Sequence, residues 1–422
     1  MKFFAIILIT ATVGGAVFLL SRGAYEIEID GISGSHIGGQ ILDAAKQVLT
    51  LKEEEQKIIP QILPSGDLSN QPQLAAPTED IRAIYLTGWS AGSTKKMDEI
   101  IALAKRTEIN AVVIDIKDYS GYLSYKTDIP EAEASGAHGE IRMVKPNTLI
   151  KKLHDENIYV IGRISVFQDT ILAKAHPEWA LRDKTTGNLW KDQKGLAWMD
   201  PAAEPVWDYV ESIAKDALAR GFDEINFDYI RFASDGSLQN IDYPFWDQKT
   251  SRHSVIRKFF KHLRDNLGSA RMSADLFGLA TINKDDLGIG QVIEDAYAYF
   301  DYVSPMVYPS HYASGFIGYK NPAAAPYEVI KYSMDKAAAR LGDNNDNDNT
   351  SSSLVISHSY SAKLRPWLQD FDLGADYNAE MVRKEIQAVY DSLKNGTTTS
   401  AYAGWLLWDP RNVYTEGALS AE

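Results

Sequence analysis

Residues 223–234 read DEINFDYIRFAS, and the reading of this stretch decides the fold. Ile225, Phe227, Tyr229, Ile230 and Phe232 suit the interior of a sheet, so a buried strand is predicted over 224–232. Yet Asp228 sits among them, with Arg231 just beyond. A bare carboxylate in an apolar setting is costly unless it is paired, hydrogen-bonded or protonated. Strand side chains alternate, so Asn226, Asp228 and Ile230 are expected on one face. If this is a barrel strand, Asp228 lies near its C-terminal end and can point into the mouth.

Outward from that strand the pattern repeats. Short apolar runs occur at 81–88 (IRAIYLTG), 110–118 (NAVVIDIKD), 159–167 (YVIGRISVF), 271–278 (RMSADLFG), 302–310 (YVSPMVYPS), 354–361 (LVISHSYS) and 401–409 (AYAGWLLWD). Segments of helical period lie between them. Met97, Ile100, Ile101 and Ala104 form one stripe; Val206, Val210, Ile213 and Ala217 form another. The same spacing recurs at Ile293, Ala296, Tyr297 and Phe300, at Ile330, Met334, Ala337 and Leu341, and at Val382, Ile386, Val389 and Leu393. Eight strands separated by helices predict an α/β fold, a (β/α)8 TIM barrel. An open doubly wound sheet is the rival, but LTGWSAGST after the first strand is not the G-x-G-x-x-G turn that such sheets carry.

Two long interruptions, 119–140 and 168–200, follow the second and third strands and emerge at the C-terminal rim, where barrel active sites are built. A third, GDNNDNDNTSSS (342–353), faintly resembles a calcium loop. Asp348 stands where the turn glycine belongs and no glutamate closes it, so a solvated loop is the better reading.

Composition narrows the function classes. A net charge of −14 argues against a nucleic-acid partner and mildly favours neutral or cationic ligands. The absence of cysteine excludes disulfides, thiolate catalysis and Cys-based zinc sites. At the N-terminus, Lys2 precedes an uncharged, mostly apolar run from Phe3 to Leu20, close to the ~17–25 residues that span a bilayer. Residues 1–22 are therefore read as a signal anchor in preference to a cleaved signal peptide. The predicted location is a single-pass cell-membrane protein with its domain extracytoplasmic, secreted if the segment is cut. Residues 23–80, rich in glycine, proline and polar residues apart from one amphipathic stretch, read as a flexible stalk, and 81–415 as the barrel. Sequence leaves the oligomeric state open.

The carboxylates suggest the chemistry. Ser273 and Asp275 share one face of the fifth strand, as Asn226 and Asp228 do on the fourth. Adjacent parallel strands lie roughly 5 Å apart, so the two carboxylates can approach the ~5–5.5 Å separation of a retaining glycosidase pair. Both are expected to open into one aromatic-lined pocket. The plainer reading pairs an inward aspartate with Arg231 or Arg163 to complete the core. Asp115 and Asp118, ending the second strand, shift the balance toward chemistry. Aromatics gather at strand ends: Trp89, Tyr119, Tyr122, Phe167, Tyr229, Phe232, Phe277, Tyr308, Tyr312, Tyr360 and Trp408, with Trp190 and Trp198 in the long third loop. Flat rings beside polar groups suit sugars, although about half of these rings need no ligand. His311 is the one histidine obviously at a rim. No H-E-x-x-H, G-x-S-x-G or Walker pattern occurs.

IRAIYLTGWSAGS, AVVIDIKDYSG, VIGRISVFQD, DEINFDYIRF, SADLFG, SPMVYPSHY and GWLLWDP together resemble a glycosyl-hydrolase barrel family of unknown function, remotely related to the α-amylase superfamily. The likeness spans about residues 81–410; FDYIRF and PMVYPSHY are its most specific pieces. It implies a nucleophile at Asp228 and an acid/base at Asp275. Amylases carry glutamate at the second position, an arginine where Asn226 stands, and a third carboxylate after strand seven that LVISHSYSAKLRPW lacks. The expected activity is hydrolysis of O-glycosyl bonds in a carbohydrate substrate by a two-carboxylate, retaining mechanism without a cofactor. Asp115, Arg163, Tyr229, Arg231, Tyr308, His311 and Trp408 are the substrate-side candidates. The alternatives are a non-catalytic carbohydrate-binding barrel and, ranked below it for want of histidines, a metal-dependent hydrolase using Asp115, Asp228, Asp275 and His311.

Overall fold

Among the described residues, eight strands, each buried along most or all of its length, pair in parallel to form the barrel, and a two-residue strand, Lys363–Leu364, pairs in parallel with Tyr302 and Val303. The eight are β1 (Ile81–Leu86), β2 (Ala111–Lys117), β3 (Tyr159–Ser165), β4 (Glu224–Asp228), β5 (Met272–Phe277), β6 (Tyr302–Met306), β7 (Trp367–Gln369) and β8 (Gly404–Trp408). Their order is β7-β8-β1-β2-β3-β4-β5-β6, and the ring closes where Trp367 of β7 pairs with Met306 of β6. The computed structural model describes residue 63 and residues 66–342, 361–396 and 401–421.

Among the described residues, the helices that follow the strands include α1 (Thr94–Ala104), α2 (Pro146–His154), α3 (Glu204–Arg220), α4 (Arg252–Leu267), α5 (Ile293–Tyr297), α6 (Pro326–Gly342) and α7 (Ala379–Val389), with shorter helices at Gly88–Gly92, Pro130–Ala134 and Thr170–Ala175. Local signals set their ends. The Ser93 hydroxyl accepts from Lys96 N ahead of α1, and Asn378 caps α7 by accepting from the amides of Glu380 and Met381. Gly221, at φ 110°, ends α3 and turns the chain into β4. The apolar stripes read from sequence are buried against the sheet.

Period-2 alternation sends one set of strand side chains inward. Ile81, Ala83, Tyr85, Ala111, Val113, Tyr159, Ile161, Trp367 and Leu406 form one cluster, distinct from the larger core between sheet and helices. Lower in the barrel the buried Glu224 carboxylate pairs with the buried Arg365 guanidinium. Tyr159 Oη lies 3.3 Å from Glu224 Oε2, and the Tyr302 ring lies 4.2 Å from Arg365 Cζ. A fully buried pair of this kind is satisfied only while both partners are present.

Several expectations need correction. The seventh strand was predicted at 354–361, of which 354–360 lie outside the described residues; Trp367–Gln369 fills that place in the ring. Strand four ends at Asp228, because Tyr229 takes φ 53° and turns the chain out of the sheet. Ile230 consequently packs in the outer core and does not share the inward face of Asp228. Residues 66–74, read as the end of the stalk, lie against the barrel. Asp67 accepts from the amides of Asn147 and Thr148 at 3.1 and 2.9 Å, and Leu74 N donates to Asp223 Oδ1 at 2.7 Å. Asp223 also accepts from Val160 N at 2.8 Å, so the first residue of DEINF serves the N-terminal rim. The apolar segment Phe3–Leu20, the possible stalk helix and the Asp/Asn-rich loop at 343–353 lie outside the described residues. Among the described residues, no helix is long and apolar enough to cross a membrane.

Candidate active site

Strand register brings the inward polar groups together at the C-terminal end of the barrel. Asp115 pairs in register with Arg163, and Arg163 with Asn226. Asn226 is opposite Ser273 and Phe227 opposite Ala274, so the next positions up are Asp228 and Asp275. Their strands are neighbours, about 5 Å apart.

Arg163 is the hub. Its Nη1 donates to Asp115 Oδ1 at 2.5 Å, its Nη2 donates to Asp228 Oδ2, and its Nε lies 3.7 Å from Asp275 Oδ2. Burial works against its charge, but Asp115 and Asp228 outweigh that and hold its pKa well above the usual value. Tyr85 and Trp408 stack on each other at 3.8 Å between centroids, with Arg163 Cζ 5.6 and 5.2 Å from their rings. The pairing of Asp228 with a core arginine is therefore present, and the partner is Arg163, not Arg231.

The three aspartates differ in surroundings. Asp115 Oδ2 accepts from the Tyr85 hydroxyl at 2.5 Å; burial raises its pKa although Arg163 opposes this. Asp228 Oδ1 accepts from Tyr229 N at 2.5 Å, a bond that the left-handed turn at Tyr229 makes possible. Asp275 is 1% exposed, and its Oδ1 accepts from Asn226 Nδ2 and Trp367 Nε1, both at 2.8 Å. Burial, and then the negative charge of Asp228, push its pKa up to about 8.

A cavity of about 350 Å³ opens beside this cluster. Asp228, Tyr229, Arg231, Tyr308 and His311 border it, with Phe277, Gly278, Leu279, Met306 and Tyr312 as its remaining wall. Asp275 is not on that wall, contrary to the expectation of two carboxylates opening into one pocket, because Asn226 and Trp367 enclose it. Burial raises the Tyr308 pKa well above the usual value, and the charges of Asp275 and Asp228 add to this. His311 is pulled below its ordinary value by burial, which favours the neutral ring. Its Nδ1 is 3.2 Å from Ser310 Oγ.

Other candidates lie elsewhere. Asp118 is paired with Arg142 at 2.5 Å, away from the hub. Phe167, Phe232, Trp190 and Trp198 are buried core. Trp89 and Tyr119 are exposed, at 57% and 52%. Tyr360 is outside the described residues. The long third loop does reach the site, since Trp198 packs edge-on against Tyr229 at 5.9 Å. A two-residue ribbon pairing Arg182–Asp183 with Ile241–Asp242 braces that loop.

Sequence reasoning missed Tyr85, Trp367 and Lys117. Tyr85 shares inward parity with Ile81 and Ala83, which alternation alone could have shown. Trp367 was hidden by the misplaced seventh strand. Lys117 follows an irregularity in register after Asp115, which directs its ammonium to Asp169 Oδ2 at 2.8 Å and Ser165 O at 2.5 Å. For a metal, the proposed set Asp115, Asp228 and Asp275 is a poor fit, because a guanidinium already sits among the three carboxylates. Among the described residues, the carboxylate–histidine group with metal-holding spacing is Asp208, Glu211 and His262, on the helical exterior.

A closed parallel barrel with clustered carboxylates at the C-terminal strand ends has the architecture of many sugar-cleaving enzymes. The chain belongs to the family described as "Putative glycosyl hydrolase domain", which matches residues 83–414. No curated protein matches it in sequence. A solved structure of a hypothetical protein from Ruminiclostridium thermocellum ATCC 27405 is 37% identical, covering 49% of this chain and 98% of that one, with a TM-score of 0.42. The PgaB (BpsB) glycoside hydrolase domain from Bordetella bronchiseptica shares the fold, with a TM-score of 0.53 at 12% identity over 81% of this chain and 99% of that one.

Proposed function

We propose that the protein is a retaining glycoside hydrolase acting on an oligo- or polysaccharide, with Asp228 as nucleophile and Asp275 as acid and then base. The observation that carries this reading is the contrast between two carboxyl groups at neighbouring positions on β4 and β5. Asp228 borders the cavity, and two of its roughly four lone-pair sites are taken, by Tyr229 N and Arg163. Asp275, with its pKa near 8, retains a proton at neutral pH. In the first step Asp228 bonds to the anomeric carbon while the glycosidic oxygen leaves with the Asp275 proton, a transfer that requires Asn226 and Trp367, which enclose Asp275, to open a path from it to the bound sugar. In the second, Asp275 takes a proton from water, whose oxygen displaces Asp228 from the sugar. Arg163 keeps Asp115 and Asp228 in place, with Trp408 stacked on Tyr85 beside it, and Tyr229, Tyr308 and His311 shape the sugar site. The reaction so written uses no cofactor.

Incubating the full-length protein with α- and β-linked oligosaccharides, and following the first-formed anomer by NMR, tests this. Retention is expected; an inverted product would remove the nucleophile role from Asp228. Binding without cleavage across the panel would favour the alternative, a non-catalytic carbohydrate-binding barrel.

The same proposal includes location. Phe3–Leu20, uncharged after Lys2, holds the chain in the cell membrane with residues from about 25 onward outside the cytoplasm. Protease added to intact cells or spheroplasts should digest the barrel, whereas protection alongside a cytoplasmic marker would refute the placement.

A further inference from the structure

Arg231 is a buried cation facing the cavity; burial lowers its pKa, and the charges of Asp228, Asp235 and Asp192 oppose this from beyond ion-pairing distance. It is 8% exposed and borders the same cavity as Asp228. Its Nη1 donates to Phe232 O at 3.1 Å and to Ser234 Oγ at 3.0 Å, both neutral acceptors. Among the described residues, no carboxylate lies within ion-pairing distance of it, and its Nε and Nη2 have no protein partner. The other buried arginines differ. Arg163 has three aspartates, Arg365 has Glu224 and Arg142 has Asp118.

Three rings hold the Arg231 guanidinium in place: Trp198 and Phe277 at 4.8 Å and Tyr229 at 5.4 Å from Cζ. Their faces offset part of the cost of burying the charge and fix the direction of the fork. They supply no acceptor in its plane. A guanidinium fork with open N–H groups suits a planar or multi-oxygen anion, which can take two parallel hydrogen bonds. The cavity's remaining wall is mostly aromatic and apolar, and His311 is biased toward its neutral form. The ammonium of an amino sugar would not be received by this fork, since it would set a second cation directly against Arg231.

We infer that the sugar bound beside Asp228 carries an anionic substituent, a carboxylate as in a hexuronic acid or its sulfate or phosphate counterpart, received by Arg231. This rests on the reading of the cavity as the sugar site. Unlike the hydrolytic mechanism, it can be tested by binding alone.

The test is calorimetric titration of the full-length protein with glucuronate and galacturonate oligomers, with sulfated and phosphorylated analogues, and with neutral glucose and galactose oligomers of the same linkage. Anionic sugars should bind about ten- to a hundredfold more tightly than neutral ones, the range expected for hydrogen bonds to a charged group. The carboxylate, sulfate and phosphate arms identify which anion is preferred. Arg231→Gln should erase most of that preference, weakening anionic sugars at least about tenfold more than neutral ones; Arg231→Lys should keep part of it. Equal or tighter binding of neutral sugars by the unaltered protein would overturn the inference, with no variant needed. So would an Arg231→Gln protein, folded by circular dichroism, that weakens both classes equally, as expected of a cation that only balances Asp228. Should anionic sugars bind selectively without being cleaved, the hydrolytic reading falls and this one stands.

Discussion

Asp228→Asn is expected to lower hydrolysis by at least about three orders of magnitude while leaving sugar binding within a few-fold. The size follows from the removal of a covalent nucleophile, a change that typically leaves only the catalysis supplied by binding and the rest of the site. The amide is nearly isosteric, but it has one oxygen where the carboxylate uses two: if that oxygen accepts from Tyr229 N, the NH2 faces Arg163 Nη2 and the Arg163 bond is lost. Structure sharpens the stability side of the same experiment. Removing one partner of an isolated buried pair costs about 3–5 kcal/mol. Arg163, however, keeps Asp115 at 2.5 Å and Asp275 at 3.7 Å. The variant should therefore lose about 1.5–3 kcal/mol, the scale of one lost hydrogen bond to a charged group. Denaturant melts beside single-turnover assays separate the outcomes. A variant that melts far below the unaltered protein, with activity lost in proportion, would make Asp228 a structural anchor. A stable variant with ordinary turnover would move the nucleophile elsewhere. An added small anion such as azide restoring cleavage in the truncated Asp228→Gly variant would place the lost function at the anomeric carbon, since it can enter the space the carboxylate vacates.

Which parts of this site could be read from the chain follows from what each inference required. Asp228 and Asp275 needed only period-2 alternation and the position of a strand end, both local properties of DEINFDYIRF and RMSADLFG. The helical stripes were equally local. Arg163 was named as one possible partner, but its central place depends on register across β2, β3 and β4, which no single segment encodes. Trp367 escaped because LVISHSYS has a strong strand pattern, whereas the three-residue β7 is too short to show one. Its indole is one of the two groups enclosing Asp275, so misplacing one strand also concealed why Asp275 lies behind the cavity wall. Ile230 failed for a different reason. Alternation was carried through Tyr229, whose positive φ reverses the chain, and a non-glycine residue in that conformation is hard to foresee. It is also an informative exception, because the same turn aims Tyr229 N at Asp228 and carries Arg231 to the cavity.

Asp275 should give the reaction its alkaline limit. A general acid works only while protonated, so kcat/KM should hold below about pH 8 and fall about tenfold per unit above it, following the pKa near 8. Burial is the larger cause of that elevated value and the charge of Asp228 the next, with Arg163 opposing both. Stability should carry the same signature with a definite sign. The Asp275 pKa in the folded protein lies above that of an unfolded aspartate, about 4. Between roughly pH 4 and 8 the folded state thus holds a proton that the unfolded chain has released. Its contribution is fully present below pH 4 and is progressively lost as pH rises through 8. Asp275→Asn cannot lose that proton, and its amide can still accept from Asn226 and Trp367. Relative to the unaltered protein, the variant should gain stability as pH rises from 5 to 8, measured by urea melts at each pH. Its hydrolysis of unactivated glycosides should fall by about 10²–10⁴, the usual contribution of a positioned acid. Aryl glycosides with acidic phenol leaving groups need less protonation and should be affected far less in the first step. Equal losses on both substrate types would make Asp275 a brace for Asn226 and Trp367. An unchanged alkaline limb in Asp275→Asn would assign that limb to another group.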